Sequence, residues 1–135
     1  MRSVKSMLLL SLVVGGCSDA AGPGLIAGKW TQDFTVPGNI TEMNLLTAGS
    51  IVSGTGDWCG EAGPCGTLAV TGTTTGIEVH LDLVFTSTFP PGIFPGFEDH
   101  FDGVLISPGS LKGSLTAVIS GQPPGTAYPT GFHRG

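Results

Sequence analysis

Two stretches of the chain concentrate side chains able to bind a metal or move a proton. Glu78, His80 and Asp82 alternate. Residues at i and i+2 of a strand point the same way, about 7 Å apart, so two of the three are spaced to share an ion. Glu98, Asp99, His100 and Asp102 place four titratable groups in five residues, a composition suited to a cation such as Ca²⁺. The evenly spaced oxygen ligands and the glycine of a calcium loop are absent, however. The simpler reading makes residues 78–82 the solvated face of a half-buried strand and residues 98–102 an acidic loop. If the 78–82 face pointed into a barrel instead, it would line a cavity. His133 stands apart from both clusters. No metal site is expected.

Nucleophilic catalysis finds no support. There is no Gly-x-Ser-x-Gly elbow. Gly54-Thr55-Gly56 and the glycines at 72 and 76 lack the helix and Lys of a phosphate loop. Carboxylates are present, but nothing in the sequence sets two of them across a substrate. The expectation is a protein without catalytic residues or cofactor.

The elements that carry these side chains read as strands. In 26–36 the even positions hold Ile26, Trp30, Phe34 and Val36, and the odd ones hold Lys29, Thr31 and Asp33. That is the period of two of a half-buried strand. Further strands are expected over 40–46, 51–58 and 67–73. The clearest covers 77–85, with Ile77, Val79, Leu81, Leu83 and Phe85 on its apolar face. A hairpin follows over 101–107 and 111–120, turning at Pro108-Gly109, and a short last strand over 127–134. Residues 89–97 contain Pro90, Pro91 and Pro95, which lack backbone donors, so this stretch is a loop. It is either a lid on one end of the core or a partner site displaying Phe89, Ile93, Phe94 and Phe97. Seven or eight short strands in succession and no sustained helical period predict an all-β antiparallel up-and-down meander. Closure into a barrel hides its edges best, and a β-sandwich is the alternative.

The N-terminus carries a different signal. Arg2 and Lys5 precede an apolar run from 7 to 14 broken only by Ser11, and Gly15-Gly16-Cys17 follows. Cations, a short apolar core and small residues are the parts of an export signal, and the run falls short of the roughly 20 residues that span a bilayer. Val14-Gly15-Gly16-Cys17 resembles the lipobox of bacterial lipoproteins, with Val in place of the usual Leu. The resemblance implies cleavage before Cys17, which becomes the mature N-terminus, acylation of that Cys and attachment to a membrane. Ser18, where an Asp would signal retention, implies the outer membrane by resemblance to Gram-negative sorting patterns, on its periplasmic or surface face. Residues 1–16 are then a signal peptide, 17–24 a lipidated Cys and flexible tether rich in Ala, Gly and Pro, and 25–135 a single domain.

An envelope location is oxidising, which favours a disulfide between the two remaining cysteines, Cys59 and Cys65. Closing a ring of about seven residues stabilises by roughly 2 kcal/mol in the chain-entropy model. A redox pair is usually Cys-x-x-Cys, and a metal needs further ligands that are not nearby.

The 135 residues suffice for one domain. Only 11% are charged, and the net charge is −5. Loss of residues 1–16 would leave Lys29, Lys112 and Arg134 as the only Lys or Arg. Three scattered cations make no phosphate-binding surface, which excludes a nucleic-acid partner.

Gly28-Lys29-Trp30 on the first strand resembles the Gly-x-Trp of the calycins: lipocalins, avidins and fatty-acid-binding proteins. In that group the first-strand Trp packs against an Arg of the last strand, which implies barrel closure by Trp30 and Arg134. A guanidinium on an indole gains roughly 0.5–2 kcal/mol. Residues 28–33 are also similar to the opening of avidins, whose biotin pocket uses several later tryptophans, whereas this chain has only Trp58 besides Trp30. The expected function is a membrane-anchored, non-enzymatic binding module for a small apolar ligand. The alternative is a structural or protein-interaction lipoprotein of the envelope with a filled core.

Overall fold

A computed structural model describes residues 23–33, 40–59, 65–86, 97–119 and 121–134. Residues 1–16, expected to be an export signal, and Cys17, Phe34, Val36, Phe89, Ile93 and Phe94 lie outside the described residues.

Eight strands follow one 3-10 turn, Pro23–Ile26. They are β1 Gly28–Gln32, β2 Ile40–Ala48, β3 Ile51–Cys59, β4 Cys65–Thr75, β5 Glu78–Phe85, β6 Glu98–Ser107, β7 Ser110–Val118 and β8 Tyr128–Arg134. Each pairs antiparallel with the next, and β8 pairs with β1, so the meander closes into a barrel and not a sandwich. Among the described residues no helix is long and apolar enough to cross a membrane.

Alternation decides what is inside. On β5, Val79, Leu81, Leu83 and Phe85 are buried while Glu78, His80 and Asp82 are exposed. The same period buries Met43 and Leu45 on β2, Leu68 and Val70 on β4, Phe101 on β6, and Leu111 and Leu115 on β7. Trp30 and Phe132 complete the core from β1 and β8, and the Phe101 and Phe132 rings meet edge to face at 5.2 Å.

The two ends of the barrel differ. Turns at Gly49-Ser50, Gly76-Ile77 and Pro108-Gly109 close one end with two residues each. The 3-10 turn packs beside β2 at this same end. The strand ends joined by the longer connections, Gln32 and Ile40, Cys59 and Cys65, Phe85 and Glu98, Val118 and Tyr128, all lie at the other end, here called the mouth.

The structure corrects three expectations. Strand β1 stops at Gln32, short of Val36, and Ile26, itself buried, belongs to the 3-10 turn instead. Ile77 has the inward phase of its strand but falls in the turn, past the last neighbour able to cover it, and is 58% exposed. Residues 98–102 are strand, not loop, because β6 begins at Glu98. Their polar side chains find partners across β5: His80 faces Asp102, and Asp82 faces His100.

Inward glycines let the strands bend tightly around this small barrel. A Cβ on Gly72 would strike the His80 carbonyl oxygen of β5, the close backbone approach for which strand glycines are retained. Gly72→Ala should therefore lower stability by roughly 1–3 kcal/mol. Gly109→Ala, where an added Cβ meets nothing within 4 Å, should stay within about 0.5 kcal/mol of the wild type. Paired urea unfolding curves check both.

Candidate functional site

The seam between β1 and β8 has three residue pairs: Trp30 with Arg134, Thr31 with His133 and Gln32 with Phe132. So short a ladder gains strength from side chains. At the turn end, Arg134 lies over the Trp30 ring, its guanidinium carbon 4.4 Å from the centroid. The same guanidinium donates to the carbonyls of Leu25, Ala27 and Pro108. Trp30 Nε1 donates to the Ile26 carbonyl at 2.8 Å. One Arg thus ties the last strand to the N-terminal turn and to the β6–β7 turn. On the outer face, Asp33 accepts from Lys112 Nζ at 2.8 Å and pairs with His133 Nδ1 at 2.7 Å. The Lys112 hydrogen bond, helped by His133, holds the Asp33 carboxyl below its usual range.

The two titratable clusters of the sequence meet on the outside of β5 and β6. His80 Nδ1 lies 2.5 Å from Asp102 Oδ1. His100 Nε2 lies 2.9 Å from Glu98 and 3.5 Å from Asp82. The Glu98 hydrogen bond raises the His100 pKa, with Asp82 and Asp102 adding attraction against partial burial. These contacts are cross-strand pairs of the kind that stabilise sheets. Among the described residues no three His, Cys, Asp or Glu side chains converge on a point where a metal would sit.

The third group joins Asp99, which the sequence places in the acidic run, to Gln32, Tyr128 and Thr130, which it does not mark. Inside the mouth, Gln32 Nε2 donates to Thr130 Oγ1 at 3.1 Å, and Gln32 Oε1 accepts from the Thr41 amide at 3.2 Å. Gln32 thereby links β8, β1 and β2. Tyr128 lies near Gln32 and Asp99, and its pKa is raised by burial and by the Asp99 charge. Asp99 faces inward, paired with Leu83 and Ala117 and in phase with buried Phe101. Burial pushes its pKa to about 6, against a smaller opposing pull from His100. No described residue hydrogen-bonds the Asp99 carboxylate. Its phase with Phe101 was the signal available in the sequence, hidden within an apparently continuous acidic run.

Aromatic rings form another side of the mouth. Phe85 meets Trp58 at 6.4 Å and Phe97 at 5.8 Å, both edge to face. Phe97, at the end of the Pro-rich stretch, packs against the core, and its carbonyl accepts from the Phe85 amide at 2.8 Å. At this one position the stretch covers the core. Cys59 and Cys65 are directly paired across β3 and β4 and joined by a disulfide at the same end.

A groove of about 510 Å³ lies on the outer face of β1–β4, lined by Lys29, Glu42, Asn44, Thr55, Asp57 and Ala69 among others. These side chains are out of phase with the core, so the groove is external to the barrel and is not an internal ligand cavity.

No protein-family model, curated protein or solved structure matches the chain. The closed antiparallel eight-strand barrel is consistent with a calycin-like barrel.

Two carboxylates of the site should respond to pH with opposite signs. Asp99 holds its proton to higher pH when folded than unfolded, so its contribution to stability falls as pH rises from about 4 to about 6. Asp99→Asn should therefore gain on the wild type across that window and keep the gain at neutral pH. Asp33 is the reverse: its lowered pKa stabilises above the usual 3.8 and fails on acidification below it. Asp33→Asn should be less stable at neutral pH, with the deficit shrinking in acid. Melting temperatures of the three proteins from about pH 3 to pH 8 test both signs.

Proposed function

We propose that the protein is a lipid-anchored binding module of the bacterial cell envelope. Its barrel mouth takes a small, largely apolar ligand bearing a hydrogen-bond donor. The observation that carries the ligand reading is Asp99. An inward carboxylate lacking a hydrogen bond from any described residue, with its pKa raised by burial, is costly unless something uses it. Perturbed titratable groups in concave places are candidates for function. Beside it stand Gln32 and Tyr128 as polar partners and the Trp58, Phe85 and Phe97 rings as apolar wall. That mixture, mostly apolar with a few convergent polar groups, is the usual make-up of a small-molecule site.

The alternative, a filled barrel acting through its surface, draws support from the packed core. Buried apolar side chains come from all eight strands, which restricts a ligand to the mouth. The anchor half of the proposal rests on the sequence: the cationic leader, the apolar run and Val14-Gly15-Gly16-Cys17.

N-phenyl-1-naphthylamine, neutral and apolar with one N–H donor, is a suitable probe. It should bind saturably, one per chain, and Trp58→Ala should weaken binding by about tenfold, the loss of roughly 1.4 kcal/mol of aromatic contact. A titration without saturation, or one indifferent to Trp58→Ala and Asp99→Asn together, refutes the mouth site. Mass spectrometry of the mature N-terminus tests the anchor. An acylated Cys17 is expected, and a chain beginning at Met1 with a free thiol refutes it.

A further inference from the structure

The exposed large apolar side chains are not scattered. Leu46 (68% exposed) and Ile51 (57%) flank the Gly49-Ser50 turn, Ile77 (58%) sits within its own turn, and Ile106 (61%) precedes Pro108-Gly109. Leu25 and Val104, each 37% exposed, extend the set. All six lie at the turn end. Among the described residues at the mouth end only Ile119 and Tyr128 are comparably exposed. The three turns contain no charged residue, and of the positions flanking them only Glu78 is charged. Single exposed aliphatics need no explanation, but a rim of them around one end of a barrel marks a contact surface.

What covers that rim follows from where the chain emerges. Residues before 23 leave the barrel at the same end, since Arg134 binds the Leu25 and Ala27 carbonyls together with the Pro108 carbonyl of the β6–β7 turn. Five residues separate Cys17 from Pro23, at most about 20 Å of extended chain. We propose that the turn end of the barrel rests on a lipid bilayer, its apolar rim entering the interface between headgroups and acyl chains. The mouth then faces away from the membrane. This rests on the acylation of Cys17 proposed above. The lipid brings the rim to the surface, and the rim fixes the orientation. Apolar side chains at a bilayer interface gain free energy in proportion to the area they bury.

The test uses the full chain, acylated in a Gram-negative host and reconstituted into vesicles of phosphatidylethanolamine and phosphatidylglycerol. Single Ile77→Cys, Ile106→Cys and Gln122→Cys variants carry an environment-sensitive nitrobenzoxadiazole label. All three positions are exposed, so folding is not at risk. Labels at 77 and 106 should shift to the blue and be quenched at least about threefold more than the label at 122 by nitroxides on the acyl chains, since position 122 sits at the mouth end. If the chain is acylated and vesicle-bound but the labels at 77 and 106 report water, the orientation is wrong and the anchor stands. If mass spectrometry finds Cys17 unmodified, the anchor reading itself fails. A blue shift that nitroxide lipids do not quench, with disulfide cross-linking between copies of unlabelled Ile77→Cys, assigns the rim to a second copy and overturns the membrane contact.

Discussion

The β1–β8 seam is the constraint on which the rest of the molecule depends. A meander of eight strands has two free edges until its ends meet, and here the first strand is only five residues long and pairs three of them in the closure. Three fasteners reinforce that short ladder. Arg134 stacks on Trp30 and gathers the N-terminal turn and the β6–β7 turn. Asp33 holds Lys112 and His133 outside, and Gln32 bridges to Thr130 and Thr41 inside. Each lies at a different face or height, so closure does not rest on backbone hydrogen bonds alone.

Closure also separates the two ends by character. Two-residue turns and the Arg134 hub make one end compact. The other end holds the Cys59–Cys65 disulfide and the Phe97 ring against Phe85. The polar interior group sits at the mouth end because Gln32, Thr130 and Asp99 fall late in β1 and early in β8 and β6. Deeper positions, such as Phe101 and Leu81, are packed among apolar neighbours and leave a carboxylate no room. The interior polar side chains are thereby confined to the mouth end. The apolar rim and the exit of the N-terminal chain belong to the opposite end.

Much of the barrel was legible because alternation is a local property. Val79, Leu81, Leu83 and Phe85 declare a buried face whichever strands flank them, and Pro108-Gly109 declares a turn. The resemblance around Gly28-Lys29-Trp30 led to Arg134, and the structure stacks that guanidinium on the indole. Alternation failed at element ends. Ile77 keeps the phase of its strand yet lies beyond the last covering neighbour, and the strand character of Glu98 to Asp102 was masked by their charge. That charge is tolerated because β5 offers His80 and Asp82 in register, a fact no single segment carries.

The sequence by itself determined the positions of most strands, their inward and outward faces and the spacing of Cys59 and Cys65, because each depends on residues close along the chain. Only the tertiary structure decided that the meander closes as a barrel, that Asp99 points inward beside Gln32 and Tyr128, and that Leu46, Ile51, Ile77 and Ile106 share one end. The physical reason is register. Which residues meet across eight strands depends on how the sheet coils and closes, and that is set by the packing of all the strands together.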